Sequence, residues 1–325
     1  METRNLGTTG AQVSAVGFGA WAIGGGWGAV PEDDAMDALH AAVDHGMTFI
    51  DTADVYGEGR SERLIGRLLR ERDEPLLVAT KMGRLGDWNA SYDAMAGAAE
   101  ASRRRLGVDA LDLVQLHCIP FATLQAGRVF EHLERLKSEG LIRHYGASVE
   151  TVDEALFCIR ESGCETLQVI FNIFRQKLID ELFPSVRSSG IGIIARVPLA
   201  SGLLSGKFPP DHQFAADDHR NFNANGERFN VGETFAGIPF ARGIELAREV
   251  ENTLGGRPDA SMAQLALRWI LDHPEVSTVI PGAKSRHQTS ENAAAAELPP
   301  LDDESHRRLR ALYQSRIAAE IRGAY

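Results

Sequence analysis

The stretch "MTFIDTADVYGEGRSERLIGRLLRE" (residues 47–71) holds a strand, a loop and a helix in a single run. "MTFID" is a short apolar run without alternation, as parallel strands buried on both faces require. "SERLIGRLLRE" has the period of a helix that returns across such a strand. Between them stand Asp51, Asp54 and Tyr56, which are either ordinary turn residues or the acid machinery of a site.

The same unit recurs outward in both directions. "SAVGFGAW" reads as a first strand. "PEDDAMDALHAAVDHG" follows as a helix with Pro31 near its first turn, acids beside it, Met36, Leu39 and Val43 on one face, and Gly46 as its stop. "LLVATK" and "LDLVQLH" are strands three and four. Helices at "YDAMAGAAEASRRRLG" and "RVFEHLERLKSEG" follow them. "LIRHYGAS", "TLQVIF", "GIGIIARVPL" and "VSTVI" supply strands five to eight. Helices fall between them at "VDEALFCIRESG", "LIDELFPSVRSSG" and "SMAQLALRWILDH", and "RHQTSENAAAAE" follows the last strand. Eight such units predict an α/β fold, a closed (β/α)8 TIM barrel, over residues 1–325 as a single domain. The spacing breaks once, after strand seven. There the segment "GKFPPDHQFAADDHRNFNANGERFNVGETFAGIPF" (206–240) is rich in Asn, Gly, Pro and Phe, and it reads as a long loop covering a site.

Composition narrows the function classes. Of 325 residues, 44% are hydrophobic and 24% charged, a soluble globular balance. The net charge of −11 without any Lys/Arg-rich run argues against nucleic acid as partner. Cys118, Cys158 and Cys164 have no metal-ligand spacing and read as reduced thiols, so no metal is expected. The polar start "METRNLGTTG" is not a signal peptide, and the apolar runs are too short to span a bilayer. A cytoplasmic protein without a membrane partner is the expectation, as monomer or small homo-oligomer.

In a (β/α)8 barrel the chemistry gathers at the C-terminal strand ends. Asp51 ends strand two, with Tyr56 in its loop. Lys81 ends strand three and His117 strand four. Ser148 follows strand five, Gln168 lies in strand six, Arg196 ends strand seven, and Gly282 and Lys284 follow strand eight. Alone, Asp51 reads as a cap, Lys81 as a solvated rim residue and His117 as a structural histidine. Together they make a relay. An ammonium beside a phenol lowers its pKa, and a carboxylate holds the ammonium in place. Asp51–Lys81–Tyr56 suits proton transfer to a carbonyl oxygen that His117 orients. Asp54 is left as a turn residue. A rim lysine beside Asp and Tyr is equally the equipment of a Schiff-base aldolase, so Lys81 keeps that alternative open.

These residues resemble the aldo-keto reductase superfamily over nearly the whole chain. "RNLGTTGAQVSAVGFGAW" resembles its barrel-capping hairpin and first strand, "FIDTADVYGEGRSERLIG" its signature, and "LDLVQLH" and "IPGAKSRHQTSEN" two further segments. The resemblance implies metal-free reduction of an aldehyde or ketone by hydride from NAD(P)H, usually NADPH. Asp51, Tyr56, Lys81 and His117 would be catalytic. Trp21, Tyr56, Trp88 and His117 would meet the small-molecule carbonyl substrate. Trp27, Phe121 and Phe174 are further candidates for the pocket wall.

The implied cofactor residues are Gly19, Ala20, Trp21, Asp51, Ser148, Gln168, Arg196, Pro198, Leu199, Lys207, Gly282, Lys284, Arg286, Gln288 and Asn292. Lys284 or Arg286 would pair with a 2′-phosphate, favouring NADP. Four positions depart from the family pattern. Val149 replaces an Asn, with Asn172 as a possible substitute. Arg196 replaces an aromatic ring, and a planar guanidinium can stack in its place. Gly282 and Gln288 replace basic residues. "GFGAWA" (17–22) matches a loose Rossmann pattern, but no helix opens there. A cofactor-binding regulatory subunit with little turnover is the other alternative.

Overall fold

The computed structural model describes residues 1–84, 89–255 and 257–325. Eight strands follow one another in parallel: β3 (Phe18–Gly19), β4 (Phe49–Asp51), β5 (Leu77–Met82), β6 (Leu111–His117), β7 (Ile142–Ser148), β8 (Thr166–Ile170), β9 (Gly192–Arg196) and β10 (Val276–Val279). Each pairs with its neighbour in sequence. The ring closes between the first and the last: Gly17 N donates to Val279 O at 2.8 Å, Val279 N to Ala15 O at 2.9 Å and Gly19 N to Pro281 O at 3.1 Å. The expected (β/α)8 barrel is the fold. Ahead of it, β1 (Thr3–Asn5) and β2 (Gln12–Ser14) form an antiparallel hairpin across the N-terminal strand ends. Its turn sits so close that a Cβ on Gly7, at φ +56°, would lie 2.3 Å from both Glu165 O and Gly192 N.

Two apolar layers hold the barrel. Inside the strands, Leu6 and Val13 of the hairpin meet Phe49, Ala79, Leu113, Ile194 and Ile280. Outside, the other faces of the strands pack against the helices. Residues buried on both faces explain why the strands read as continuous apolar runs.

The sequence boundaries shift where the backbone turns early. β3 is two residues long because Ala20 leaves the strand and Trp21–Gly24 forms one helical turn. "LIDELFPSVRSSG" is two helices, Lys177–Glu181 and Phe183–Ser189. Pro184 lacks an N–H and starts the second instead of continuing the first. Among the described helices without a counterpart in the sequence reading, the two longest are Phe240–Leu254, opened by Pro239, and Asp303–Leu312, capped by the Asp302 side chain.

The long segment after β9 is covering structure with short helical turns. Its residues His219 and Glu233 are buried, Asn223 accepts at Oδ1 from the Arg228 and Phe229 amides, and Ser201 Oγ donates to Glu233 O at 3.1 Å. Among the described residues no helix is long and apolar enough to cross a membrane.

Candidate active site

Parallel register places four strands' polar residues in one layer. Lys81 on β5 lies opposite Gln115 on β6, His117 on β6 opposite Ser148 on β7, and Ser148 opposite Gln168 on β8. At the centre, Asp51 Oδ2 receives the Lys81 Nζ hydrogen bond at 2.5 Å, while its Oδ1 accepts from Gln168 Nε2 at 2.7 Å and Gln115 Nε2 at 3.1 Å. Lys81 is 1% exposed. Its remaining protons go to Thr52 O at 2.9 Å and Tyr56 Oη at 3.2 Å. All three donors of the ammonium are used, which is what a charge this deep requires. Burial alone would lower the lysine pKa, but Asp51 and Tyr56 outweigh it and hold Lys81 as ammonium.

The sequence reading expects Lys81 to bring Tyr56 down. The ammonium does pull that way, yet burial of the phenol is larger and the net direction is up. Tyr56 therefore stands as a phenol with its proton on Oη. Its ring lies edge-on to His117 at 5.9 Å. His117 is held well below the ordinary imidazole range by burial, then by the cations Arg84, Lys81 and Arg196, so the ring is neutral. Its Nε2 accepts from Arg84 Nη1 at 3.2 Å, and its Nδ1 has no partner among the described residues.

These groups line a cavity of about 370 Å³. Gly19, Trp21, Asp51, Tyr56, His117, Ser148, Gln168 and Arg196 face it. Pro198, Leu199, Lys207, Gly282, Lys284, Gln288 and Asn292 line it as well, with Gly282 bridged to Gly19. Trp21 stacks near Tyr56 at 6.0 Å and meets Trp27 edge-on at 5.7 Å, so both tryptophans form the mouth. Lys284 Nζ donates to Trp27 O at 3.0 Å and so ties the β10 loop to the mouth.

Several expectations fall elsewhere. Ala20 is in the core, its N–H donating to Asp51 O and its carbonyl accepting from Ser61 Oγ. Arg286 faces solvent and pairs with Asp44 at 3.5 Å instead of entering the cavity, because it opens the helix Arg286–Ala294 on its outer side. Asn172 does not substitute for the Asn that Val149 replaces: its amide is spent on Val197 O at 2.8 Å. Phe174 is core, and Phe121 packs on Phe157 among the outer helices. Trp88 lies outside the described residues.

Arg84, Glu233 and Arg220 are among the lining residues not singled out from the sequence. Arg84 donates to Glu233 at 2.9 Å, and Arg220 lies over the Trp27 ring at 4.6 Å. Gln115, which steadies Asp51 from below, was visible only as a lone amide inside "LDLVQLH". Glu233 gave no signal, since it arrives from a loop without period.

A parallel barrel that carries a buried Asp–Lys pair, a phenol and a neutral imidazole on one cavity defines an oxidoreductase acting on carbonyl–alcohol pairs. The chain belongs to the aldo/keto reductase family, whose sequence profile it matches over residues 15–314. It is 29% identical to the aldo-keto reductase YhdN of Bacillus subtilis over 298 residues, covering 89% of this chain and 86% of that protein. It is also 32% identical to a probable voltage-gated potassium channel subunit beta of rice over 320 residues, covering 93% of each. A solved aldo/keto reductase of Klebsiella pneumoniae, in complex with NADP and acetate, superimposes with a TM-score of 0.71 at 27% identity, covering 96% of both chains.

Proposed function

We propose that the protein reduces aldehydes or ketones to alcohols with NADPH, Tyr56 serving as the general acid. The observation that carries this is the Lys81 ammonium, which touches both Asp51 and Tyr56 Oη. As Oη gives its proton to a carbonyl oxygen, negative charge grows on the phenol directly beside that ammonium. Asp51, held by two glutamine amides, keeps the lysine aimed. His117 faces the same space and limits the orientations in which a carbonyl can approach. Trp21 and Trp27 give the entering substrate an apolar wall and exclude water.

The cleft fits a dinucleotide. Its lining includes Ser148, whose hydroxyl has Cys118 Sγ at 3.7 Å as its one side-chain hydrogen-bond neighbour among the described residues, and the polar cluster Lys284, Gln288 and Asn292. Ser148 and Gln168 would hold the carboxamide end, and Pro198, Leu199 and Lys207 the pyrophosphate. Gly282, Lys284, Gln288 and Asn292 would hold the adenosine end. The preference for NADPH rests on the two lining lysines, Lys207 and Lys284. When bound, the reduced nicotinamide supplies the hydride.

A Schiff-base reaction is poorly served, because Lys81 is fixed as ammonium and has no free lone pair for attack. The rice channel subunit favours a second reading, a cofactor-binding regulatory subunit with little turnover. One assay separates them. NADPH absorbance is followed on a panel of aldehydes with wild type and Tyr56→Phe. Aldehyde-dependent oxidation that falls about 10²–10⁴-fold in the variant, the range for a lost general acid, supports the reductase. Tight NADPH binding without oxidation on any aldehyde supports the regulatory subunit and overturns Tyr56 as an acid.

A further inference from the structure

The catalytic relay leaves a cluster of charged groups in the cavity unused. Glu233, 6% exposed, is faced by two guanidiniums: Arg84 Nη2 donates to its Oε1 at 2.9 Å, and Arg196 Nη1 lies 3.4 Å from the same oxygen. Arg196 also donates to Val149 O at 3.1 Å, and its Nε is buried without a partner among the described residues. Arg84 uses its other arm on His117 Nε2. A second carboxylate, Glu150, has an oxygen within 4.8 Å of one on Glu233; burial holds it above the ordinary carboxylate range, and Asn230 donates to it at 2.9 Å. In direct contact there are thus two cations to one anion, inside a protein whose net charge is −11.

The arrangement of the arms matters more than the count. A neutral imidazole has one N–H. With Arg84 donating to Nε2, that proton is on Nδ1, and Nε2 has nothing to offer a carbonyl. A substrate that takes the Nε2 position must also satisfy the guanidinium it displaces, or leave a charge unpaired in a closed site. A neutral aldehyde offers one oxygen for two donors. A carboxylate on the adjacent carbon brings two more oxygens, one of them about a hydrogen-bond length from the first, and guanidinium forks bind carboxylates with two parallel bonds.

Resting on the reductase reading above, we infer that Arg84 and Arg196, braced by Glu233, form a receptor for the carboxylate of a 2-oxo acid whose keto oxygen faces Tyr56 and His117. The reaction balances simply. The keto carbon gains a hydride with its electron pair from the bound reduced nicotinamide, forming a C–H bond as the C=O π bond opens. The oxygen takes the Tyr56 proton, which solvent returns. The carboxylate leaves unchanged, on a 2-hydroxy acid.

The test compares phenylglyoxylate with phenylglyoxylamide, which has the same shape and no charge. Charge-assisted hydrogen bonds carry about 10–100-fold in affinity, and that is the expected advantage of the acid in kcat/KM. Arg84→Gln brings the ratio of the two substrates toward one, and Arg84→Lys restores part of it. A second readout needs no turnover and no variant. Trp21 and Trp27 stand at the mouth, so benzoate quenches tryptophan fluorescence of the wild-type protein at concentrations where benzamide does not.

Equal rates on acid and amide, with equal quenching by benzoate and benzamide, overturn the receptor while leaving the reductase intact. Absence of NADPH oxidation on every carbonyl, with selective quenching by benzoate, supports the receptor and overturns the reductase instead.

Discussion

Lys81→Met tests whether the buried ion pair is a catalytic device that also sets stability. Methionine fills nearly the same volume, so the perturbation is the charge and not a cavity. Removing the ammonium strips Asp51 Oδ2 of its 2.5 Å partner and leaves a carboxylate at 3% exposure held only by the amides of Gln115 and Gln168. Breaking a buried pair on one side costs about 3–5 kcal/mol, mostly because the other charge is left uncompensated. Asp51→Asn in the same chain removes that charge, while the asparagine oxygen still accepts from both glutamines. The double variant should recover most of the lost stability. Activity should not follow. Lys81 is the only residue hydrogen-bonded to Tyr56 Oη among the described residues, so both variants should lose about 10²–10⁴-fold in turnover. Urea unfolding and the NADPH absorbance assay read the two quantities on the same preparations. A double variant no more stable than Lys81→Met would show that the stranded carboxylate is not the source of the cost. Wild-type turnover in either variant would refute the relay.

Two further outcomes follow from other parts of the fold. Gly57, beside Tyr56, has φ +61°, and a Cβ there would lie 2.0 Å from Gly24 O, so Gly57→Ala should destabilise the protein by more than the ~1 kcal/mol of backbone strain alone and lower Tyr56-dependent turnover with it; thermal melts and kcat check the pair. Burial drops His219 and His273 to about 4 and His117 well below its ordinary range, so all three take up protons on unfolding as pH falls from about 6.5 to 4. Asp54 runs the other way: burial, then Glu62, raises it to about 6, so the folded state holds its proton in the same window. The sum is an uptake of roughly two protons, and stability measured by urea at pH 5 should fall by roughly 2–3 kcal/mol for each further unit of acid. Asp54→Asn should steepen that slope and stabilise the protein at pH 7.

The barrel was legible because its strands are buried on both sides, which strips them of alternation and leaves eight apolar runs between helical periods. The relay was legible for the same reason: an Asp, a Lys and a His ending consecutive apolar runs stand out against them. Legibility failed where position depends on the third dimension. Arg84 follows Lys81 by three residues and looks like any rim cation until Glu233 is placed opposite it. Glu233 sits in a segment whose course is set by contacts with Ser201 and Asn230, which no local pattern encodes. Arg286 shows the converse, a motif residue whose side chain turns to Asp44 and solvent. The direction of the Tyr56 shift was also beyond the sequence, since it depends on how much water the phenol loses against how near the ammonium lies.

The closure between Ala15–Gly19 and Val279–Pro281 has a kinetic meaning. Seven of the eight strand pairings join neighbours along the chain, but the eighth joins segments more than 250 residues apart. Until it forms, the sheet has two free parallel edges, each a row of unpaired backbone groups able to recruit another chain. Loop-closure entropy delays such a long-range contact relative to the local ones. Refolding from denaturant should therefore pass through an open sheet prone to aggregation, with yield falling as protein concentration rises. The protection gained when the ring shuts belongs to the whole circle and to no strand within it.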